Sequence, residues 1–287
     1  MFIKLEGSPV KQDIRNKTIE AIKDYKSKGI NPKLAVIRAG DEPGKLYYEN
    51  AIIRNANSYG IEIQNIRYSD EVTQAYLENA IKTVNADPEV HAILLLRPFP
   101  KHIDEERLRQ LLSPDKDVDA ITDISIAQTF VGKEDAFYVC TAEACMEMIR
   151  HHGVDLTGKK VTVVGRSLTV GKPLAVMLLN DNATVTVCHS RTSEEDQIAA
   201  CKNADIVVLA TGRTESYDSR YFRNGQIIID VGTGTGSDGK MHGDLDIAEI
   251  ESSGTISDLT YTPVPGGVGT VTTALLMQNV VKAVSKM

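Results

Sequence analysis

The stretch VVGRSLTVGKPLAVMLL carries the residue types most suited to holding a charged ligand. It reads as a strand, a glycine turn and a helix start, with Gly165 at the strand end and Gly171 opening the helix. Ser167 and the longer loop depart from the G-x-G-x-x-G spacing, so this segment taken alone fits a plain tight turn as well as a phosphate cradle. Two further strand ends carry glycine and small polar residues: Ala210, Thr211 and Gly212, followed by Arg213, and then Val231 and Gly232 within DVGTGTG. Ligands of open α/β sheets bind beyond the carboxyl ends of the strands, and three such ends converging is what a dinucleotide needs. The second strand ends in CHSRT, with Ser190 and Arg191 where a carboxylate for a ribose 2′-hydroxyl would stand. Together with Arg166 in the glycine loop, this favours a 2′-phosphate, hence NADP over NAD.

A second stretch, KLYYENAIIR, places Tyr48 and Ile52 one turn apart on a helix face. The tyrosine hydroxyl could meet a substrate, but the residue stacked beside it has no functional group. The segment is therefore either core packing or an active-site helix lacking one group.

The elements that must position these residues follow from periodicity. Ser8 and Pro9 signal a helix start, with Ile14, Ile19, Ile22 and Tyr25 at helical spacing and Gly29 closing the segment. PKLAVIRAG, IEIQNIRY and VHAILLLRPFP read as strands alternating with the Tyr48 helix, which ends at Gly60, and with the helix TQAYLENAIKTVNAD. Four apolar runs then begin near Val161, Ala183, Ile206 and Ile227, at the spacing of consecutive βα units. A loop-rich crossover leads to a helix near Thr141, and TVTTALLMQNVVKAV forms a closing helix. The fold class is α/β, in two domains with parallel sheets: 1–140, completed by the helix 270–287, and a Rossmann-like domain over 141–269.

The bulk properties exclude several alternatives. The 287 residues suffice for two cores, and 42% hydrophobic with 25% charged residues is ordinary for a soluble protein. A formal charge of −7 opposes a general nucleic-acid surface. No apolar run has signal-peptide or membrane-span length, which implies no membrane partner and a cytoplasmic location. Cys140, Cys145, Cys188 and Cys201 form no CxxC pair and read as buried thiols. His151 and His152 sit at a helix end and His189 at a strand end without a ligand cluster, so no metal is expected.

Over nearly the whole chain, VVGRSLTVGKPLAVMLLNDNATVTVCHSRT, YTPVPGGVGTVTTALLMQN and PDKDVDA resemble three motifs of the bifunctional methylenetetrahydrofolate dehydrogenase/cyclohydrolase family. The resemblance implies a homodimer whose interdomain cleft holds tetrahydrofolate and NADP. It also implies oxidation of 5,10-methylenetetrahydrofolate to the methenyl form, then hydrolysis to 10-formyltetrahydrofolate. Tyr48 matches the family tyrosine, but the lysine four positions on falls on Ile52, and the glutamine that tunes it falls on Leu96. The pterin-binding aspartate is Asp119, followed by Ala120 in place of a glycine. In the last motif Pro265, Gly266 and Gly267 are kept as a substrate-side loop, while a proline is replaced by Thr270. Prolines of another run are replaced at Val139 and Ala142.

Losing both lysine and glutamine leaves no unsatisfied buried group behind. The expectation is a dehydrogenase with weak or lost cyclohydrolase activity. Two alternatives stand beside it: a fully bifunctional enzyme using water, Arg97 or Lys45 in place of the lysine, and a non-catalytic folate- or nucleotide-binding protein.

Overall fold

A computed structural model describes residues 1–236 and 238–287. The elements in chain order begin with β1 (Phe2–Lys4), α1 (Gly7–Ser27), β2 (Lys33–Ala39), α2 (Pro43–Tyr59), β3 (Glu62–Tyr68), α3 (Gln74–Ala86) and β4 (Ala92–Leu96). There follow α4 (Glu105–Leu111), α5 (Asp123–Phe130), α6 (Cys140–His151), β5 (Lys160–Val164), α7 (Gly171–Asn180), β6 (Thr184–Cys188), α8 (Glu194–Asn203) and β7 (Ile206–Leu209). A 3-10 turn (Ser219–Tyr221) precedes β8 (Gln226–Asp230), and the chain closes with β9 (Gly234–Thr235), β10 (Met241–His242), α9 (Ile247–Ser253), β11 (Leu259–Tyr261) and α10 (Val268–Val284).

The chain divides into two compact units, one of residues 1–12 with 139–272 and the other of 13–138 with 273–287. The expected division kept residues 1–12 with the N-terminal domain. In the compact units they go with the later strands, because β1 pairs in parallel with β11, Phe2 against Leu259. Each unit has a parallel sheet, as the alternation of strands and helices requires.

In the three-stranded unit the order is β3-β2-β4, all parallel. The central position of β2 explains its unbroken apolar run, since both of its faces are covered. Behind the sheet, Leu77, Ile81 and Val84 of α3 pack with Ile93 and Leu95 of β4 and Leu108 of α4. The helix α2 has proline in its first turn and ends on Gly60 at φ +83°, a left-handed cap that glycine adopts without strain.

The six-stranded unit has the order β1-β11-β8-β7-β5-β6, parallel throughout. After β5 the chain adds β6 on one side and then crosses to add β7 on the other. The carboxyl ends of β5 and β7 therefore flank a topological switch point, where loops diverge and leave a crevice. All four cysteines are buried and form no disulfide, and burial pushes the Cys201 thiol up to about 12. No helix among the described residues is long and apolar enough to cross a membrane.

Candidate functional site

The switch point carries a cavity of about 260 Å³ lined by Gly165, Arg166, Ser167, Ser190, Ala210 and Thr211, all singled out in the sequence. Two glycines of the loop after β5 are dictated by close approach. Gly165 sits at φ +132°, and a Cβ there would lie 2.3 Å from the Ala210 carbonyl oxygen; at Gly171 it would lie 2.1 Å from the Gly165 carbonyl oxygen. Only glycine lets the turn fold this tightly onto the next strand end. The Ser167 hydroxyl accepts from the Val170 amide at 3.1 Å, which shapes the turn so that α7 begins at the cavity's edge.

Arg213 and Tyr217 also line the cavity and were not among the expected contacts. Arg213 was visible as the last residue of ATGR, but the direction of the chain after β7 is not a local property. His189 lines it as well, its Nδ1 accepting from the Arg191 amide at 3.1 Å. That bond gives Arg191 a backbone role in the loop. The lining includes two guanidinium groups and no carboxylate. A glycine cradle, a helix start and two arginines suit a dinucleotide phosphate, so the residues present fit the cofactor implied by the resemblance.

Of the remaining expected cofactor residues, Gly171, Arg191, Gly212, Val231 and Gly232 do not line this cavity. Gly212 and Gly232 are instead tied by their amides to two buried carboxylates, Asp244 and Asp230. Asp244 accepts from the Thr211 amide at 2.7 Å, the Thr211 hydroxyl at 2.8 Å and the Gly212 amide at 3.2 Å, all at Oδ2. Asp230 accepts from the amides of Gly232, Asp244 and Leu245. A Cβ at Gly232 would lie 2.1 Å from the Asp244 carboxyl carbon. Burial pushes Asp230 up to about 7, against those backbone hydrogen bonds and with a further push from Asp244. Two acids fourteen residues apart thus brace the loops after β7 and β8. Val231 lines a second cavity of about 320 Å³ together with Pro265, Gly266, Gly267 and Thr270.

The other expected site residues lie in the three-stranded unit. Tyr48 is 49% exposed while Ile52, one turn on, is 1% exposed, and Leu96 at the end of β4 is 2% exposed. The helix carrying Tyr48 and Ile52 is pinned to the sheet by Glu49. Its carboxylate meets Arg38 of β2 at 2.9 Å and Arg67 of β3 at 2.8 Å. A buried ion pair of this kind fixes α2 in register, and removing one partner would cost about 3–5 kcal/mol. Lys45, one turn earlier, is buried with Nζ 3.3 Å from the Ala39 carbonyl oxygen and 3.8 Å from Glu42.

Asp119 follows Asp117, whose carboxylate is fully engaged by the amides of Ile121 and Thr122 and the Ser125 hydroxyl. That loop presents Asp119 to Arg97, 3.7 Å away. Desolvation pushes the Asp119 carboxyl up to about 6, opposed by Arg97 and assisted by Asp117; a third of the side chain still meets solvent, which tempers the shift. Ala120 holds φ +53°, a left-handed conformation costing a non-glycine residue about 1 kcal/mol. The resemblance has glycine there, and the backbone keeps the glycine geometry. Among the described residues no group of three His, Cys, Asp or Glu side chains could hold a metal ion.

Comparison with known proteins accounts for both units. Residues 5–119 match the model of the tetrahydrofolate dehydrogenase/cyclohydrolase catalytic domain, and residues 139–287 that of the corresponding NAD(P)-binding domain. The chain is 41% identical over 285 residues to the bifunctional protein FolD of Carboxydothermus hydrogenoformans, covering 99% of this chain and 97% of that protein. It is similar to the crystal structure of the bifunctional enzyme FolD from Campylobacter jejuni, with TM-score 0.93, 34% identity and all of both chains covered. It is also similar to the FolD of Trypanosoma brucei complexed with NADP cofactor and inhibitor, with TM-score 0.89, 30% identity and coverage of 99% and 98%.

Proposed function

The chain belongs to the tetrahydrofolate dehydrogenase/cyclohydrolase family, and on that premise we propose that it oxidises 5,10-methylenetetrahydrofolate to the methenyl form with NADP and hydrolyses the product weakly or not at all. The observation that carries this reading is the burial of Ile52 and Leu96, 1% and 2% exposed, at the positions matched to the family's lysine and glutamine.

NADP, when bound, supplies the acceptor for the hydride. The chain's own residues then have two tasks, holding the folate and holding the cofactor. Asp119 accepts from N–H groups of the pterin, and Tyr48, half exposed on the pinned helix α2, contacts the ring near the methylene carbon. As a C–H bond pair leaves that carbon, the adjacent nitrogen lone pair closes the C=N bond of the product, so no side chain has to move a proton. The Pro265-Gly266-Gly267 loop lets backbone approach closely. Gly165 and Ser167 form the phosphate turn that Gly171 closes, Ala210 and Thr211 line the same cavity on the carboxylate frame that Gly212 and Gly232 join, Val231 lines the second cavity, and Arg166 with Ser190 meets the 2′-phosphate while Arg191 holds the loop through its amide. Arg213 joins this group, since it lines the same cavity. The absence of a carboxylate from that lining supports NADP over NAD.

Hydrolysis makes a different demand. Water attacking the methenyl carbon must lose a proton, and a ring nitrogen must gain one as the intermediate opens. Isoleucine and leucine supply neither. The second reading, full bifunctionality, is favoured by relatives named as bifunctional at about 40% identity, and would route the proton through water, Arg97 or Lys45. A non-catalytic protein agrees less well with membership of an enzyme family. A cytoplasmic homodimer completes the proposal.

The test is NADP-dependent formation of methenyltetrahydrofolate by the purified chain. Turnover at rates typical of dehydrogenases supports the reading, and its absence with tetrahydrofolate still bound would favour the non-catalytic one.

A further inference from the structure

Four charged groups meet beside β4: Arg97, Glu105 of α4, Asp117 and Asp119. Two of them are committed to the fold. Asp117 is fully buried and accepts from three donors, and Glu105 accepts from the Phe99 amide at 3.2 Å. The other two have capacity to spare. Arg97 lies 3.6 Å from Glu105 and 3.7 Å from Asp119, both longer than a hydrogen bond. Arg97 and Asp119 are 29% and 32% exposed, so a ligand can reach a guanidinium and a carboxylate standing side by side.

We propose that Arg97 is a specificity-determining residue, which with Asp119 reads the 2-amino-4-oxo edge of the pterin. This rests on the folate reading above. That edge presents two N–H donors followed by a carbonyl acceptor. The carboxylate accepts from both donors, and the neighbouring guanidinium donates to the carbonyl oxygen. A carboxylate alone leaves the third group unread, and would accept a ring lacking the 4-oxo group equally well.

The arrangement also makes binding depend on pH in a defined direction. Asp119 must be ionised to accept both N–H groups. The groups facing it are Arg97 and Asp117, with Glu105 behind Arg97. Burial and Asp117 raise the Asp119 carboxyl, and Arg97 holds it down to about 6. Without Arg97 the carboxyl rises further, so folate affinity falls as pH drops through neutrality and recovers at higher pH.

The experiment uses the full chain with Arg97→Leu and Arg97→Lys. Tetrahydrofolate binding is measured by calorimetry, and steady-state constants with methylenetetrahydrofolate are measured from pH 6.5 to 9. Arg97→Leu is expected to weaken folate binding about tenfold at pH 7, by loss of a charged hydrogen bond. The deficit should shrink at pH 9, while the KM for NADP is unchanged. Arg97→Lys keeps the charge and is expected to restore the pH profile and part of the affinity, an outcome that also excludes a folding defect at this position. An active Arg97→Leu protein with unaltered folate affinity and pH profile would overturn the proposal. Unaltered chain that neither binds tetrahydrofolate nor oxidises its methylene derivative would overturn the folate reading itself, so the two failures are distinguishable.

Discussion

Placing a lysine at position 52 tests whether the wall of the site is as closed as the burial of Ile52 implies. Ile52 is 1% exposed on α2, and an ammonium there would lose its hydration without gaining a built partner. Buried lysines respond by releasing the proton, with pKa values falling to about 5–6. Holding the amine neutral at pH 7 against an unfolded-state value of about 10.4 costs about 1.4 kcal/mol per unit, or about 4–5 kcal/mol. At pH 10 the same cost is under about 1 kcal/mol, because the unfolded chain is itself losing the proton. The sign is that of a lysine depressed in the folded state: the penalty is full below the folded pKa and fades as pH rises towards the unfolded one. The assay is the unfolding midpoint of Ile52→Lys against the unaltered chain at pH 7 and at pH 10. Steric strain is common to both conditions, so the difference isolates the charge. At about 2–4 °C per kcal/mol, the deficit should be larger at pH 7 by roughly 10 °C. Adding Leu96→Gln should recover about 1–2 kcal/mol at pH 7 by giving the amine a hydrogen-bond partner. Equal deficits at the two pH values would refute the reasoning, since the ammonium would then have found water or the Glu49 carboxylate.

Three further outcomes follow from the same geometry. Arg166→Ala should lower kcat/KM for NADP about tenfold or more and leave that for NAD nearly unchanged, because only NADP has a 2′-phosphate to lose; equal effects would remove Arg166 from that role. Asp119→Asn should raise the folate KM strongly, since an amide cannot offer two acceptors, and Tyr48→Phe should lower dehydrogenase activity; unchanged kinetics in both would point to a non-catalytic protein. Gly165→Ala should abolish cofactor binding measured by calorimetry, because its Cβ would sit 2.3 Å from the Ala210 carbonyl oxygen; retained affinity would mean that the turn does not approach the ligand.

The strands β2, β4, β5, β7 and β8 were legible because burial on both faces leaves a continuous apolar run between turn residues, and the edge strand β6 by its alternating β-branched residues. β1 and β11 have three residues each and pair across 257 positions, Phe2 with Leu259, so neither has a local signal. That long-range pairing is what draws residues 1–12 to the six-stranded unit. The glycine loop was readable by residue type, since Gly165 and Gly171 stand where no side chain fits. The carboxylate frame was not, because Asp230 and Asp244 act together only once β8 and the hairpin of β9 and β10 have formed. The sequence offers Arg97 only as a stand-in proton carrier; its place beside Asp119 is a product of the loop that Asp117 organises. Lys45 illustrates the opposite limit. Its helical position was plain, whereas its burial against the Ala39 carbonyl was not.

The central claim is that this chain makes the methenyl compound and leaves it unhydrolysed, and one measurement addresses it directly. Methenyltetrahydrofolate is supplied to the purified protein at neutral pH, in a buffer that does not itself catalyse hydrolysis, and the loss of its absorbance is compared with NADP-dependent formation by the same preparation. General acid–base groups are worth about 10²–10⁴-fold, so with Ile52 and Leu96 in place the loss should run little faster than in buffer while formation remains enzyme-dependent. Hydrolysis as fast as formation would contradict the account and require another residue of this chain to carry the proton.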